Sequence, residues 1–347
     1  MVQALVDGLP AHGIALHHVN LGLSRDATDI GRWRPGKLFS LLAACGRTVT
    51  TRFRHDCDTL YYVPAPGKRG AIYRDWVVML LCRPFFPRLL LHWHAAGLGT
   101  WLATKATTPE RWLTRLFLGR ADLSIVLGEN LRDEARQLQP RHVAIVRNGI
   151  TDPCPGLVRV PAPRPEWREA VFLGLGIREK GLFDAAEAVL RANLAKDGPR
   201  WRLSAAGDLP DPVCAREFAD LTARSNGAVR HLGFVTGAAK HSLLSSADAL
   251  VFPTYYDAET QGLVVAEALA YDLPVIVSNW RAVAENLPVT GVHVVAPRAI
   301  DEIAAALSRI GREASPPMVS RQYFLAHYTI ETFLARLAAV LTGFAGR

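Results

Sequence analysis

Short apolar runs and longer amphipathic stretches alternate along this chain from one end to the other. In the first half the apolar runs are IALHHVNL, TLYYVPA, RLLLHWHA, LSIVLG and HVAIVRN, each of strand length and bounded by polar or turn residues. Between them lie KLFSLLAACGRTVTT and AIYRDWVVMLLC, which read as helices. The pattern breaks over residues 151–168, TDPCPGLVRVPAPRPEWR, where five prolines forbid regular structure and predict a linker. It then restarts with AVFLGLG, WRLSAAG, VRHLGF, ALVFPT, PVIVSN and GVHVVAP, and residues 322–344 read as one closing helix. Strands separated by helices predict parallel sheets with crossover connections. Two consecutive open α/β domains are therefore expected, 1–150 and 169–321, with 322–347 as a terminal helix returning to the first.

The most apolar stretch, Trp76 to His94, is interrupted by Arg83, Pro84, Pro87 and Arg88. It is too broken for a membrane span and predicts a helix followed by a strand. The five cysteines are odd in number and widely spaced, which suggests neither a disulfide framework nor a zinc site. The start has no basic, apolar and small-residue succession of a secretory signal, so a cytoplasmic setting is expected.

The formal net charge of +8 is uneven. Residues 1–150 carry 20 Lys and Arg against 11 Asp and Glu, while residues 151–347 carry 20 against 21. The basic first half favours an anionic partner, either a phosphorylated acceptor or an anionic membrane face at which the chain would sit peripherally. No nucleic-acid-binding motif accompanies the charge, and nucleic acid is not expected as a partner.

The chemistry concentrates in ALVFPTYYDAETQGLVVAEALAYDLPVIVSN. From Leu263 to Ala270 every residue except Glu267 is apolar, so this carboxylate is expected to be buried on an apolar helix, where an ionised acid needs partners. Pairing with a core arginine or escape to solvent at a helix edge are the structural alternatives. Glu259 precedes it by eight residues, in a loop, where a capping or solvated glutamate is the ordinary role. Thr260, Gln261, Gly262 and Leu263 place backbone N–H groups at the helix amino end, a setting for an anion such as a diphosphate. A second pattern, VFLGLGIREKGLFDAAEAVL, brings Arg178 and Lys180 to a turn before a helix. Its glycines, 174, 176 and 181, do not have the spacing of a nicotinamide-cofactor turn.

Taken together, these two segments resemble the family 4 retaining glycosyltransferases. The pair of glutamates eight apart beside a glycine resembles that family's signature, and the strand, loop, Lys-Gly and helix element resembles its diphosphate-neutralising turn. Lys180 matches by position; Leu175 stands where the family has an arginine, which leaves Arg178 as the substitute. The resemblance implies a GT-B fold of two Rossmann-like domains whose sheets face a central cleft. It further implies sugar transfer from a nucleotide sugar to a glycan or lipid-linked hydroxyl acceptor, with retention. No cofactor and no metal are implied; the nucleotide sugar is a substrate. Glu259 would hold donor sugar hydroxyls and Glu267 the ribose, with Lys180, Arg178 and the 260–263 backbone at the diphosphate.

Gly207, Gly233 and Phe234 are either lining residues or turn glycines and a core phenylalanine. LLLHWHAAGLGTWL resembles the strand and loop that bring a histidine to the donor sugar, and His94 is chosen over His92 as the catalytic candidate. The two share a strand face and would suit a metal, but no third ligand is near. Asp56 and Asp58 precede a strand rather than follow one, unlike the acids of metal-dependent transferases. The family's first strand and glycine-rich loop have no counterpart, since VQALVDGLPAHG reads as the following helix; the start is displaced or the first domain has one strand fewer. A GT-B sugar-nucleotide epimerase and a non-catalytic nucleotide-sugar-binding protein remain the alternatives.

Overall fold

The computed structural model describes residues 1–21, 35–157, 167–195, 198–312 and 318–345. The chain divides into two compact units, Met1–Arg147 with Leu334–Arg347, and Asn148–Phe333.

The first unit begins with helix α1 (Val2–Gly8), a 3-10 turn over Leu9–His12, the irregular residues 14–21 and helix α2 (Pro35–Arg54). Strand β1 (Thr59–Tyr62), helix α3 (Arg69–Cys82), strand β2 (Arg88–His92), helices α4 (Leu98–Thr104) and α5 (Thr108–Leu118), strand β3 (Leu123–Val126), helix α6 (Arg132–Arg136) and strand β4 (His142–Ile145) follow. The sheet order is β1-β2-β3-β4 and all pairings are parallel. The apolar stretch from Trp76 resolves into the end of α3, a 3-10 turn over Arg83–Phe85 and β2. No described helix is long and apolar enough to cross a membrane.

The second unit holds β5 (Trp167–Leu173), α7 (Leu182–Ala192), β6 (Arg200–Ala206), α8 (Pro212–Arg224), β7 (Val229–His231), α9 (Gly237–Ser246) and β8 (Ala249–Phe252). Then come α10 (Leu263–Ala270), β9 (Val275–Ser278), β10 (Val292–Val295), α11 (Ile300–Arg312) and α12 (Val319–His327); α13 (Ile330–Ala345) closes the chain. Its sheet is parallel throughout, in the order β10-β9-β8-β5-β6-β7. Successive residues of one strand feed different cores. Phe172, Val251 and Ile276 join α7 and α11 in one cluster, while Val171, Leu250 and Val275 join α10 and Phe324 of α12 in the other. Helices on both faces explain why these strands read as unbroken apolar runs. The result is the α/β GT-B architecture, and β8 at the centre of this sheet and β9 beside it carry the loops that matter below.

Three expectations need correction. IALHHVNL forms no strand: residues 14–21 belong to no regular element, with His17 stacked on His55 at 3.9 Å and the Asn20 carbonyl accepting from Arg47. Four of its side chains, Ile14, Leu16, Val19 and Leu21, are half-buried, yet the segment joins no ladder. The predicted single closing helix is two, because Thr329 pairs with Ile150 and its hydroxyl accepts from the Thr332 N–H, starting α13 afresh. The predicted linker through residue 168 ends earlier, with β5 beginning at Trp167, while residues 158–166 lie outside the described residues.

The described part of that linker is anchored. Asp152 forms a two-pronged ion pair with Arg321 of α12, at 2.7 and 2.5 Å, and Arg321 also donates to the carbonyls of Cys154 and Ala270. The five cysteines are all free.

Candidate active site

Strand β8 ends at Phe252, and the loop 253–262 that follows is held on several sides. The Tyr255 N–H donates to the Glu179 carbonyl at 2.7 Å, which ties the loop to the turn after β5. Trp280 donates its indole N–H to the Tyr256 carbonyl at 2.9 Å, Ser278 donates to the Thr254 carbonyl, and the Ala282 N–H reaches the Thr260 carbonyl. Gln261 uses both ends of its amide: its oxygen accepts from the Asn148 N–H at 2.8 Å and its nitrogen donates to the Asn148 carbonyl at 3.0 Å. Such bracing fixes a polar loop that would otherwise move, the condition for a preorganised site.

Two glycines make the close approach. Gly181, with φ of 81°, lies where a Cβ would fall 2.5 Å from the Pro253 carbonyl oxygen, so the turn before α7 and the loop after β8 touch backbone to backbone. Gly262, with φ of 69°, is the N-cap of α10, and a Cβ there would press on the Phe252 ring at 2.9 Å. Having no side chain, Gly262 leaves the amino end of α10 without a side-chain cap. An oxyanion is favoured there by the first-turn N–H groups and the helix dipole.

This contact brings together Lys180 and Glu259, which are 79 residues apart. The Lys180 Nζ lies 2.6 Å from Glu259 Oε2 and within 5.7 and 5.0 Å of the ring centres of Phe252 and Tyr256. Glu259 is 8% exposed, and its other oxygen accepts from the Thr260 N–H. The loop glutamate is therefore buried and salt-bridged, not solvated. An ammonium held by one carboxylate and two aromatic faces keeps a fixed position and retains donors for a further oxygen ligand.

Glu267 occupies the apolar helix as expected, yet it is half-buried rather than buried. Its Oε1 accepts from Lys240 of α9 at 2.8 Å, so the partner is a lysine on a neighbouring helix, not a core arginine. Thr260 and Gln261 are buried, Gly262 turns the chain, and Leu263 is exposed. Arg178 is engaged elsewhere: its guanidinium pairs with Glu217 and stacks on Phe183 at 4.4 Å, sharing none of the partners of Lys180. The Gly207 N–H donates to the Gly233 carbonyl at 2.8 Å, and Phe234 is 71% exposed, which excludes a core role for it.

His94 belongs to the first unit, just beyond β2. Its ring lies 4.1 Å from that of His92, and burial pushes its pKa down to about 4. His92 is fully buried, with Nδ1 against the Tyr61 hydroxyl, and burial pushes its pKa well down as well. The loop after His94 is fastened by Glu134 of α6, whose carboxylate accepts from the N–H groups of Gly97 and Gly99 at 3.1 and 2.7 Å and from the Thr100 hydroxyl. Among the described residues no group of three His, Cys, Asp or Glu side chains could hold a metal ion.

Three residues of these arrangements carry no signal in the sequence pattern: Lys240, Tyr256 and Glu134. Lys240 and Glu134 act through contacts across at least 27 residues, Tyr256 from a tyrosine in a loop, and local patterning reports neither.

Residues 168–313 match the sequence family described as glycosyl transferases group 1. No curated protein matches the chain in sequence. Similar solved structures include sucrose-phosphate synthase from Thermosynechococcus elongatus, 18% identical, with a TM-score of 0.66 over 91% of this chain and 81% of that one. HepE from Anabaena, in complex with UDP and glucose, is 15% identical, with a TM-score of 0.63 over 87% and 82% of the two chains. A UDP-forming alpha,alpha-trehalose-phosphate synthase from Burkholderia xenovorans is 14% identical, with a TM-score of 0.65 over 91% and 80%.

Proposed function

We propose, from a GT-B fold whose residues 168–313 match the group 1 glycosyltransferases, that the chain moves a sugar from a nucleoside diphosphate sugar to a hydroxyl of a glycan or lipid-linked acceptor, with retention at the anomeric carbon and without a metal ion. The observation that carries this reading is the Lys180–Glu259 pair beside the uncapped amino end of α10. A site that binds only a neutral sugar has no use for a half-buried ammonium held on a carboxylate and two aromatic rings. A diphosphate leaving group does.

In the reaction the bond between the anomeric carbon and the diphosphate oxygen breaks, and that carbon joins the acceptor hydroxyl oxygen. The hydroxyl proton leaves with the nucleoside diphosphate or to solvent. Negative charge grows on the departing diphosphate, where Lys180 and the first-turn N–H groups of α10 oppose it, an electrostatic stabilisation of the oxyanion-hole kind. Glu259 accepts hydrogen bonds from donor sugar hydroxyls once Lys180 turns to the phosphates. Glu267 accepts from the ribose hydroxyls, exchanging its contact with Lys240. His94, neutral at pH 7, serves as a hydrogen-bonding group toward the donor sugar rather than as a cation.

The test begins with thermal stability in the presence of UDP, GDP, ADP and dTDP and their sugars, because a ligand at about 100 times its Kd adds roughly 2.7 kcal/mol of stability. UDP and UDP-glucose come first, since HepE was solved with UDP and glucose. A shift with one base, followed by transfer to acceptor with the donor's anomeric configuration kept, is the expected result. Absence of any shift refutes the donor site, and an isomerised sugar formed from donor alone refutes transfer in favour of an epimerase.

A further inference from the structure

Helix α2 contains Lys37, Arg47, Arg52 and Arg54 and no acidic residue. Leu41, Ala44 and Cys45 face the core of the first unit. A second apolar stripe runs along the exposed side, roughly 120° round the helix from the first. Leu38, Leu42 and Phe53 recur at helical spacing along it, and Phe39 flanks them; Phe39 is 76% and Phe53 67% exposed. At 100° per residue these four fall within one stripe roughly 100° wide, with Arg54 and Arg47 roughly 60° and 80° beyond Phe39 on one side of it. Phe85, from the turn after α3, extends the stripe, its ring edge-on to Phe53 at 6.1 Å. Asp56, the nearest acid in sequence, is paired with Arg52 at 2.9 Å.

A helix with a core-facing stripe already satisfied does not need a second one to fold. Exposed aromatic side chains cost solubility without adding packing, and contiguous ones mark a surface that meets something apolar. The border of guanidinium groups says what kind. Phenylalanines with arginines alongside match the acyl and phosphate layers of an anionic bilayer, in which the apolar stripe lies just below the headgroups. The rest of the unit agrees in sign, since residues 1–150 carry 20 basic against 11 acidic residues.

We propose that the outward face of α2, with Phe85, docks the first unit on the surface of an anionic phospholipid bilayer. The helix lies along the interface with Phe39, Leu42 and Phe53 inserted and Arg47 and Arg54 at the phosphates. The inference does not rest on the transferase reading.

Flotation of the full chain with vesicles tests it. Vesicles of phosphatidylcholine with phosphatidylglycerol should carry the chain upward at low salt. Vesicles of phosphatidylcholine alone should carry about tenfold less, and raising ionic strength toward roughly 1 M, where the Debye length falls to about 3 Å, should weaken the anionic binding. The double variant F39S/F53S should stay unbound with unchanged circular dichroism, and R47E/R54E should lose the preference for anionic lipid. A native chain that stays in the unbound fraction on anionic vesicles overturns the proposal. So does an F39S/F53S protein that floats like the native chain, or a native dimer in sedimentation velocity that this pair dissolves, which would make a second copy the occupant. Where the serine pair fails to fold, the lipid and salt dependence of the native chain decides the question.

Discussion

Lys180 and Glu259 meet at 2.6 Å across two loops that Gly181 allows to touch, with the rings of Phe252 and Tyr256 beside the ammonium. Neither charge has another ion-pair partner of comparable closeness among the described residues. Each neutralises the other while the site is empty, and a bound donor offers each a replacement: phosphate oxygens for the ammonium, sugar hydroxyls for the carboxylate. The pair thus holds its own site open at little electrostatic cost.

Removing one member should harm more than removing both charges together. Lys180→Ala strands a buried carboxylate and deletes a phosphate contact, so kcat should fall by about 100-fold or more, the size seen when one transition-state donor is lost. Glu259→Gln keeps the shape and a hydrogen bond to Lys180. It should retain nucleoside diphosphate binding while weakening the nucleotide sugar. Calorimetric titration with both ligands checks this; equal weakening of the two would place Glu259 away from the sugar.

The Lys240–Glu267 pair makes a contrasting case. Its side chains are 34% and 18% exposed, so the pair contributes at most about 1 kcal/mol to stability. Glu267→Ala and Lys240→Ala should therefore both melt close to the native chain. Only the first should lose donor affinity, by about ten- to a hundredfold, since a hydrogen bond to a charged group is worth roughly 1.5–3 kcal/mol. Normal nucleotide affinity in Glu267→Ala would remove it from the site.

These two glutamates also mark how far the sequence could be read. Glu267 is conspicuous because α10 is otherwise apolar, and that placement holds; its relief through Lys240 is not visible, since the lysine comes from another helix 27 residues away. For Glu259 the reverse applies. A glutamate in the polar loop TYYDAETQG looks solvated, and its burial follows from tertiary bracing by Asn148, Trp280 and Glu179. Fully buried parallel strands such as β8 and β9 were legible as apolar runs. IALHHVNL also reads as a strand, but it joins no ladder: His17 stacks on His55, in the turn after α2, and the Asn20 carbonyl accepts from Arg47. Arg178 was legible only as a basic residue near a turn, and Glu217 and Phe183, which draw its side chain away from Lys180, come from helices further along.

Burial holds the His94 imidazole neutral, with a pKa near 4 against an ordinary value of 6.5. No limb of a pH–rate profile between about pH 5 and 8 should belong to it. The linkage has a definite sign. An unfolded chain takes up a proton on this residue below about pH 6.5 while the folded one does not, so stability present above that pH is lost as pH falls toward 4. His94→Gln should flatten that part of the stability curve in urea titrations. It should also slow transfer, with little change in the acid limb of the rate profile.

Arg321 is 3% exposed and ties three segments together: Asp152 after the start of the second unit, Cys154 beside it, and the Ala270 carbonyl at the end of α10. The guanidinium holds the Asp152 carboxyl below its ordinary range. Asp152 therefore adds stability that is complete above its unfolded pKa, near 4, and that disappears as pH falls further. Arg321→Met removes the charge, leaving Asp152 with the Cys154 N–H, the Ala270 carbonyl with the Cys154 thiol, and the Cys154 carbonyl without the guanidinium. The loss should be about 3–5 kcal/mol, as for other broken buried pairs, visible as a lower urea midpoint at unchanged slope. Because Ala270 ends the helix that begins at Gly262, the same variant should also weaken nucleotide binding, although no atom of Arg321 belongs to the proposed site. Asp152→Asn with Arg321→Met removes both charges together, and should recover much of the stability; failure to do so would mean that the carbonyl contacts, not the ion pair, are what Arg321 supplies.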